Sequence, residues 1–136
     1  MQAYVCGFLF CTSKERVLLI RKRRPDWQVG KLNGVGGKIE SGESPLDAMK
    51  REFAEEAGLE ITEWQEVLEV TGDEWRGHFF RTFGEIDAAR AMTDEQLEIH
   101  TVRLLPSDTI PNLRWMIPML LDDDLASRKY AIRVTA

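Results

Sequence analysis

Apolar and polar positions along the chain predict strands toward both ends and one sharply bounded helix between them. Residues 2–11, QAYVCGFLFC, form a nearly continuous apolar run of strand length. Residues 16–20, RVLLI, read as its partner across a polar turn at Ser13-Lys14-Glu15. Over 45–57 the apolar period changes, and Leu46, Met49, Phe53 and Ala57 fall on one helical stripe at about 100° per residue. Ser44 is placed to cap this helix, Pro45 suits its first position, Asp47 complements its positive end, and Gly58 stands where a left-handed residue closes it. Segments 64–71 and 78–86 read as antiparallel strands around Gly72-Asp73-Glu74. Segment 97–105 reads as a further strand carrying His100, and 130–134 as a short last strand at an edge. Asn112 is placed to cap a second helix reaching 121, with Leu113, Met116, Ile117 and Leu120 as its apolar face. Pro118 inside it predicts a kink or an early end. Residues 25–31, 87–93 and 106–111 read as loops, with Trp27 either a loop anchor or a wall for a base, the anchor preferred. The glycines of 32–38, LNGVGGK, suggest tight turns with close backbone approach to a ligand. No GK[ST] follows them, so this is not a P-loop.

The flank of the first helix beside its apolar stripe is acidic. Glu52 and Glu56 stand one turn apart, with Glu55 about a quarter- to a third-turn away. A solvated face, with Arg51 and Glu55 paired at i,i+4, is one reading. Carboxylates crowded into the C-terminal half of a helix nevertheless oppose its dipole, and a bound Mg²⁺ reverses that penalty. The spacing decides between them. Gly37, five residues, Glu43, seven residues, then Arg51-Glu52-Phe53-x-Glu55-Glu56-x-Gly58-Leu59 satisfies the pattern G-x5-E-x7-R-E-U-x-E-E-x-G-U, U being bulky and apolar. The chain resembles a Nudix hydrolase, the MutT-like nucleoside triphosphate pyrophosphohydrolases in particular.

This resemblance implies an α/β/α sandwich with a mixed sheet between helices, a single domain over 1–136 and a Nudix box over 37–59. It implies Mg²⁺ or Mn²⁺ held by Glu52, Glu55 and Glu56, with the Gly36 carbonyl a further ligand. Arg51 orients the helix carboxylates and Glu43 supports the loop. Glu95 is the choice for an extra carboxylate, with Glu98 the alternate. The implied reaction cleaves a diphosphate linkage in a nucleoside diphosphate-linked compound, with Glu52, then Glu56, the choice for the base. Asn33 matches a base-contacting residue of the MutT-like members. Trp115 is placed either to stack on a purine or to pack in the core. Of the basic run 21–24, Arg23 is the choice for a phosphate contact. The acidic pair that oxidised-purine enzymes carry before the last helix has no counterpart at Asn112-Leu113.

Composition narrows the partners. With 43% apolar and 30% charged residues, the chain reads as an ordinary globular domain able to bury a core. A net charge of −5 disfavours broad binding to a nucleic-acid polymer, leaving a small-molecule nucleotide as the expected partner. No apolar run approaches the roughly 20 residues of a membrane span. Cys6 and Cys11 lie an odd number apart on one strand, so they face opposite sides. Two unpaired thiols point to a reducing, cytoplasmic setting. Oligomeric state stays open, a homodimer included. ADP-ribose, nucleotide sugars and dinucleoside polyphosphates are the alternative substrates. A nucleotide-binding regulatory domain without turnover is the alternative from another class.

Overall fold

The computed structural model describes residues 1–135. Alternation builds the sheet. In β1 (Gln2–Phe10), Phe8 and Phe10 enter one core while Val5 and Leu9 enter the other. In β2 (Arg16–Arg21), Val17 and Leu19 join the first, Leu18 and Ile20 the second. The remaining strands are β3 (Leu32–Asn33), β4 (Val35–Lys38), β5 (Gln65–Thr71), β6 (Trp75–Phe83), β7 (Gln96–Thr101) and β8 (Tyr130–Arg133). They form an eight-stranded sheet in the order β3-β2-β1-β6-β5-β8, with β4 also on β1 and β7 on β2. The β1–β6 and β5–β8 pairs are parallel and the others antiparallel, giving the mixed sheet expected. Helix α1 (Pro45–Ala57) covers one face. Helix α2 (Leu113–Leu121) and the short α3 (Asp123–Ala126) cover the other.

The glycine segment is extended where turns were expected. Strands β1 and β2 pair through Phe10 and Val17 and then diverge. β3 joins β2 at Ile20 and Arg21, and β4 joins β1 from Tyr4 to Gly7. The chain crosses between them at Gly34. This opening in the sheet brings the end of β2 and the whole of β4 beside α1.

Helix α1 has the predicted bounds. Ser44 Oγ accepts from the Asp47 amide at 3.1 Å, and Gly58 closes the helix at φ 71°, a conformation costly for residues with a Cβ. Its buried stripe is Ala48, Met49, Phe53 and Ala57. Leu46, in the first turn, stays 37% exposed, and small Ala48 lets the helix close onto the sheet in its place. In α2, Asn112 is αR and makes no side-chain cap. The Ile110, Pro111 and Asn112 carbonyls instead take the Leu113, Arg114 and Trp115 amides in a tightened first turn. Pro118 ends nothing, because it and Arg114 lie on the exposed side and the freed Arg114 carbonyl can bond water. Trp27 sits in a 3-10 turn (Asp26–Gln28), 65% exposed, and anchors no loop. Trp115 is 37% exposed, so it leaves the core to its helix neighbours. The two thiols are free and pack against opposite cores. The strand expected over 78–86 begins earlier, at Trp75, and a 3-10 turn (Ile86–Ala88) follows it. The strand expected over 97–105 ends at Thr101.

One ion pair fastens β2 to β7. Arg21 donates through Nε and Nη2 to Glu98, which also bonds His100, and through Nη1 to Asp108 at 2.7 Å. The Arg21 bond holds Glu98 down to about 2, below the ordinary value near 4.3. A depressed carboxylate stabilises the fold above its ordinary pKa and loses that contribution as pH falls toward 2. Glu98→Gln is therefore expected to cost about 2 kcal/mol at pH 7. The gap should close as pH falls below about 4.3; thermal unfolding of both proteins across pH checks this.

Candidate active site

Helix α1 carries its carboxylates on the flank that faces the opening between β2 and β4. Arg51 organises that flank. Its Nε and Nη2 donate to Glu43 at 2.7 and 2.9 Å, and Nη2 also reaches the Lys38 carbonyl at 3.1 Å. Nη1 donates to Glu52 Oε1 at 2.9 Å and Glu55 Oε2 at 3.3 Å. Glu43 further accepts the Glu40 amide at 2.9 Å, and the Arg51 bond holds its carboxyl down to about 2. The guanidinium is thus fixed by the loop while it gathers two carboxylates of the helix.

Each glutamate meets a different environment. Glu55 is largely in solvent, its side chain 58% exposed. The Glu52 carboxylate lies against the backbone of Gly37, where an added Cβ would stand 2.5 Å from Oε1. Burial raises its pKa against the opposing pull of Arg51. Glu56 is deeper. Burial, opposed by the Lys22 ammonium and the Gly36 amide and reinforced by Glu52 and Glu95, pushes it up to about 7. Its Oε2 is buried and has no hydrogen-bond partner among the described residues. Gly36 itself lies in β4 opposite Cys6.

Glu95, just before β7, is almost fully buried, and its charge bears on Glu56. It accepts from the Arg23 amide at 2.6 Å and from Lys22 Nζ at 3.2 Å. Glu98, the alternate, is committed to Arg21 and His100. Arg23 contributes its backbone to Glu95, while its exposed guanidinium stands 3.5 Å from Asp94. Lys22, beside Arg23 in the basic run, bonds Glu95 as well: Leu18 and Ile20 face α1, and Lys22 is next on that side.

Asn33 lies on the same opening. Its Nδ2 donates to Gln28 Oε1 at 2.9 Å, and its Oδ1 accepts from the Gly34 amide at 2.8 Å and from the Cys6 thiol at 3.7 Å. Burial pushes that thiol up to about 12, so it stays protonated. Leu32 bonds Asp108 and Ile110, which ties the segment entering α2, and so Trp115, to the strand that carries Asn33.

The α1 carboxylates do not draw together as tightly as a second group. Among the described residues, Glu66, Glu69 and His78 bring ligand-type atoms within 4.8 Å of one another, near the far edge of the sheet. His78 Nδ1 lies 2.8 Å and Lys129 Nζ 2.9 Å from Glu66 Oε2. Burial raises the Glu66 pKa, but these bonds outweigh it and the net shift is downward. The oxygens of this group are already engaged by His78 and Lys129. On α1, Arg51 pulls Glu52 and Glu55 aside, and Glu56 alone holds an unpartnered buried oxygen. Such an atom is costly as it stands, and a hard divalent cation is what an all-oxygen donor set can accept. The residues present therefore fit a hard divalent cation.

The family profile of the NUDIX domain matches residues 1–131. An oxidized purine nucleoside triphosphate hydrolase from Mus musculus is 43% identical over 57 residues, covering 42% of this chain and 36% of that protein. The 8-oxo-dGDP phosphatase NUDT18 from Danio rerio is 30% identical over 101 residues, covering 71% of this chain and 31% of its own length. The matched stretch thus spans about a third of each of these relatives. A MutT protein structure from Bacillus halodurans superposes with a TM-score of 0.72 at 22% identity, covering 99% of this chain and 91% of that one. With the profile running through nearly all of the sequence and the mixed sheet matching MutT structures, the chain belongs to the Nudix family.

Proposed function

We propose that this chain is a single Nudix domain, with its box at 37–59, that hydrolyses a nucleoside triphosphate to the monophosphate and pyrophosphate using Mg²⁺ or Mn²⁺. The observation that carries this reading is Glu56, half-buried, with one buried carboxylate oxygen that has no partner among the described residues, and with Glu52 and Glu95 bearing on it. Glu52, Glu55, Glu56 and Glu95 would hold the cation, with the Gly36 carbonyl beside them. Bound there, it supplies charge neutralisation for the phosphates and lowers the pKa of the attacking water.

The chain's own residues do the rest. Arg51, locked by Glu43, keeps Glu52 turned toward Gly37 and is not a base. Glu52 accepts the proton of the attacking water as its oxygen bonds phosphorus and the P–O–P bridge breaks, with Glu56 the alternative. Asn33, set by Gln28 and Gly34, presents its amide to the base. Trp115, exposed on α2, offers a ring for stacking, and Arg23 offers an exposed guanidinium to phosphate. The Mus musculus relative supports a triphosphate. The Danio rerio relative favours a nucleoside diphosphate as the second reading.

Product analysis on ordinary and oxidised nucleoside di- and triphosphates, ADP-ribose, nucleotide sugars and dinucleoside polyphosphates tests this. Monophosphate plus pyrophosphate from a triphosphate supports the reading. Orthophosphate release from a diphosphate as the preferred reaction moves it to the second, and no turnover moves it to a nucleotide-binding domain. Gly37→Ala probes the support of Glu52. The added methyl meets a flexible carboxylate, so the fold should persist while the carboxylate moves. Turnover is expected to fall about a hundredfold with the unfolding midpoint nearly unchanged.

A further inference from the structure

Arg51 and Lys22, two of the cations that meet the carboxylates, are held very differently. Arg51 is tied by two bonds to Glu43 and one to the Lys38 carbonyl, so it cannot leave when the helix glutamates change partners. Lys22 comes from the opposite wall, at the end of β2. Its side chain is 13% exposed, and its ammonium makes one hydrogen bond among the described residues, to Glu95 Oε1 at 3.2 Å. It also bears on Glu56, where it opposes the effect of burial. Glu95 would not be stranded by its departure, since the Arg23 amide at 2.6 Å remains and Arg24 Nη1 stands 3.9 Å away.

We propose that Lys22 is the built-in counter-ion of this carboxylate cluster and that it gives up Glu95 when a divalent cation binds. In the metal-free protein one flexible ammonium offsets Glu95 and Glu56, which would otherwise repel each other at low dielectric. A divalent ion at the same carboxylates makes that ammonium a like charge, and the four-carbon stem lets it swing away. Metal binding then frees a cation at the mouth of the site as the metal settles. The inference rests on the metal site proposed above.

Amine-selective NMR reads the change without turnover. The metal-free protein should give a slowly exchanging Lys22 ammonium signal, assigned by its absence from Lys22→Met. Saturating Mg²⁺ should abolish that signal while shifting the amides of α1. In direct Mn²⁺ binding followed by electron paramagnetic resonance, Lys22→Met should bind about tenfold more tightly than wild type, because no ammonium must be displaced. A Lys22 signal that persists in the Mg²⁺-saturated protein, or an unchanged Mn²⁺ affinity in the variant, overturns the counter-ion role and leaves the metal site standing. Wild-type and variant proteins that both fail to bind Mn²⁺ overturn the two together.

Discussion

Glu56→Gln is expected to lower turnover by about a thousandfold or more at saturating Mg²⁺. The substitution keeps the volume of the side chain and removes its charge at the one α1 carboxylate whose oxygen is buried and unpartnered. A cation held here loses an anionic donor at its deepest point, and the phosphates lose the charge that donor fixed. The fold should not suffer. Burial already disfavours the charged form of Glu56, as its upward shift to about 7 records, so a neutral amide relieves a penalty. Thermal unfolding of the metal-free variant should give a midpoint at or above that of the wild type. Loss of activity with a retained or raised midpoint separates a functional carboxylate from a structural one. Wild-type turnover in the variant would contradict the assignment.

Phe53→Asp should fail in the opposite way, through the fold. Phe53 is fully buried on α1 and meets Trp64 edge to face, the ring centroids 5.0 Å apart. An aspartate there removes the aromatic packing that joins α1 to the sheet and buries a carboxylate among Val5, Met49 and Phe80. The cost is about 5 kcal/mol or more, comparable to the whole stability of a small domain. Insoluble or unfolded protein by circular dichroism is the expected outcome, whereas Phe53→Leu should fold with a loss of about 1–2 kcal/mol. A soluble, cooperatively folding aspartate variant would mean that α1 presents a different face to the sheet.

The parts of the molecule legible in sequence were those that local physics dictates. Ser44, Pro45 and Gly58 set the bounds of α1 through capping and backbone geometry. Those bounds, with the spacing from Gly37 to Leu59, placed the carboxylates on one flank. Apolar runs of strand length located β1 and β2 to within a residue. What escaped depends on neighbours distant in sequence. Residues 32–38 became strands because β1 and β2 diverge and leave unpaired edges for them, which their own glycines do not reveal. Asn33 could be named, but Cys6 and Gln28, which hold its amide, could not, since one lies 27 residues away. Arg23 was the choice for a phosphate contact within the basic run 21–24, and the run by itself does not show which side of β2 each cation faces. Tracing the period from Leu18 and Ile20 resolves it. Trp115, open to stacking or packing in the sequence, and Trp27, read as a loop anchor, both stand exposed, because burial depends on neighbours that the local sequence does not show.

The metal dependence of turnover is the most direct check on the central claim. Metal-stripped protein is supplied with the nucleoside triphosphate that turns over best, and products are resolved before and after Mg²⁺ is restored. No monophosphate or pyrophosphate is expected without the metal, and both should form stoichiometrically once it is added. Equal turnover in the presence of excess chelator would contradict that claim, and would remove the α1 carboxylates from the chemistry.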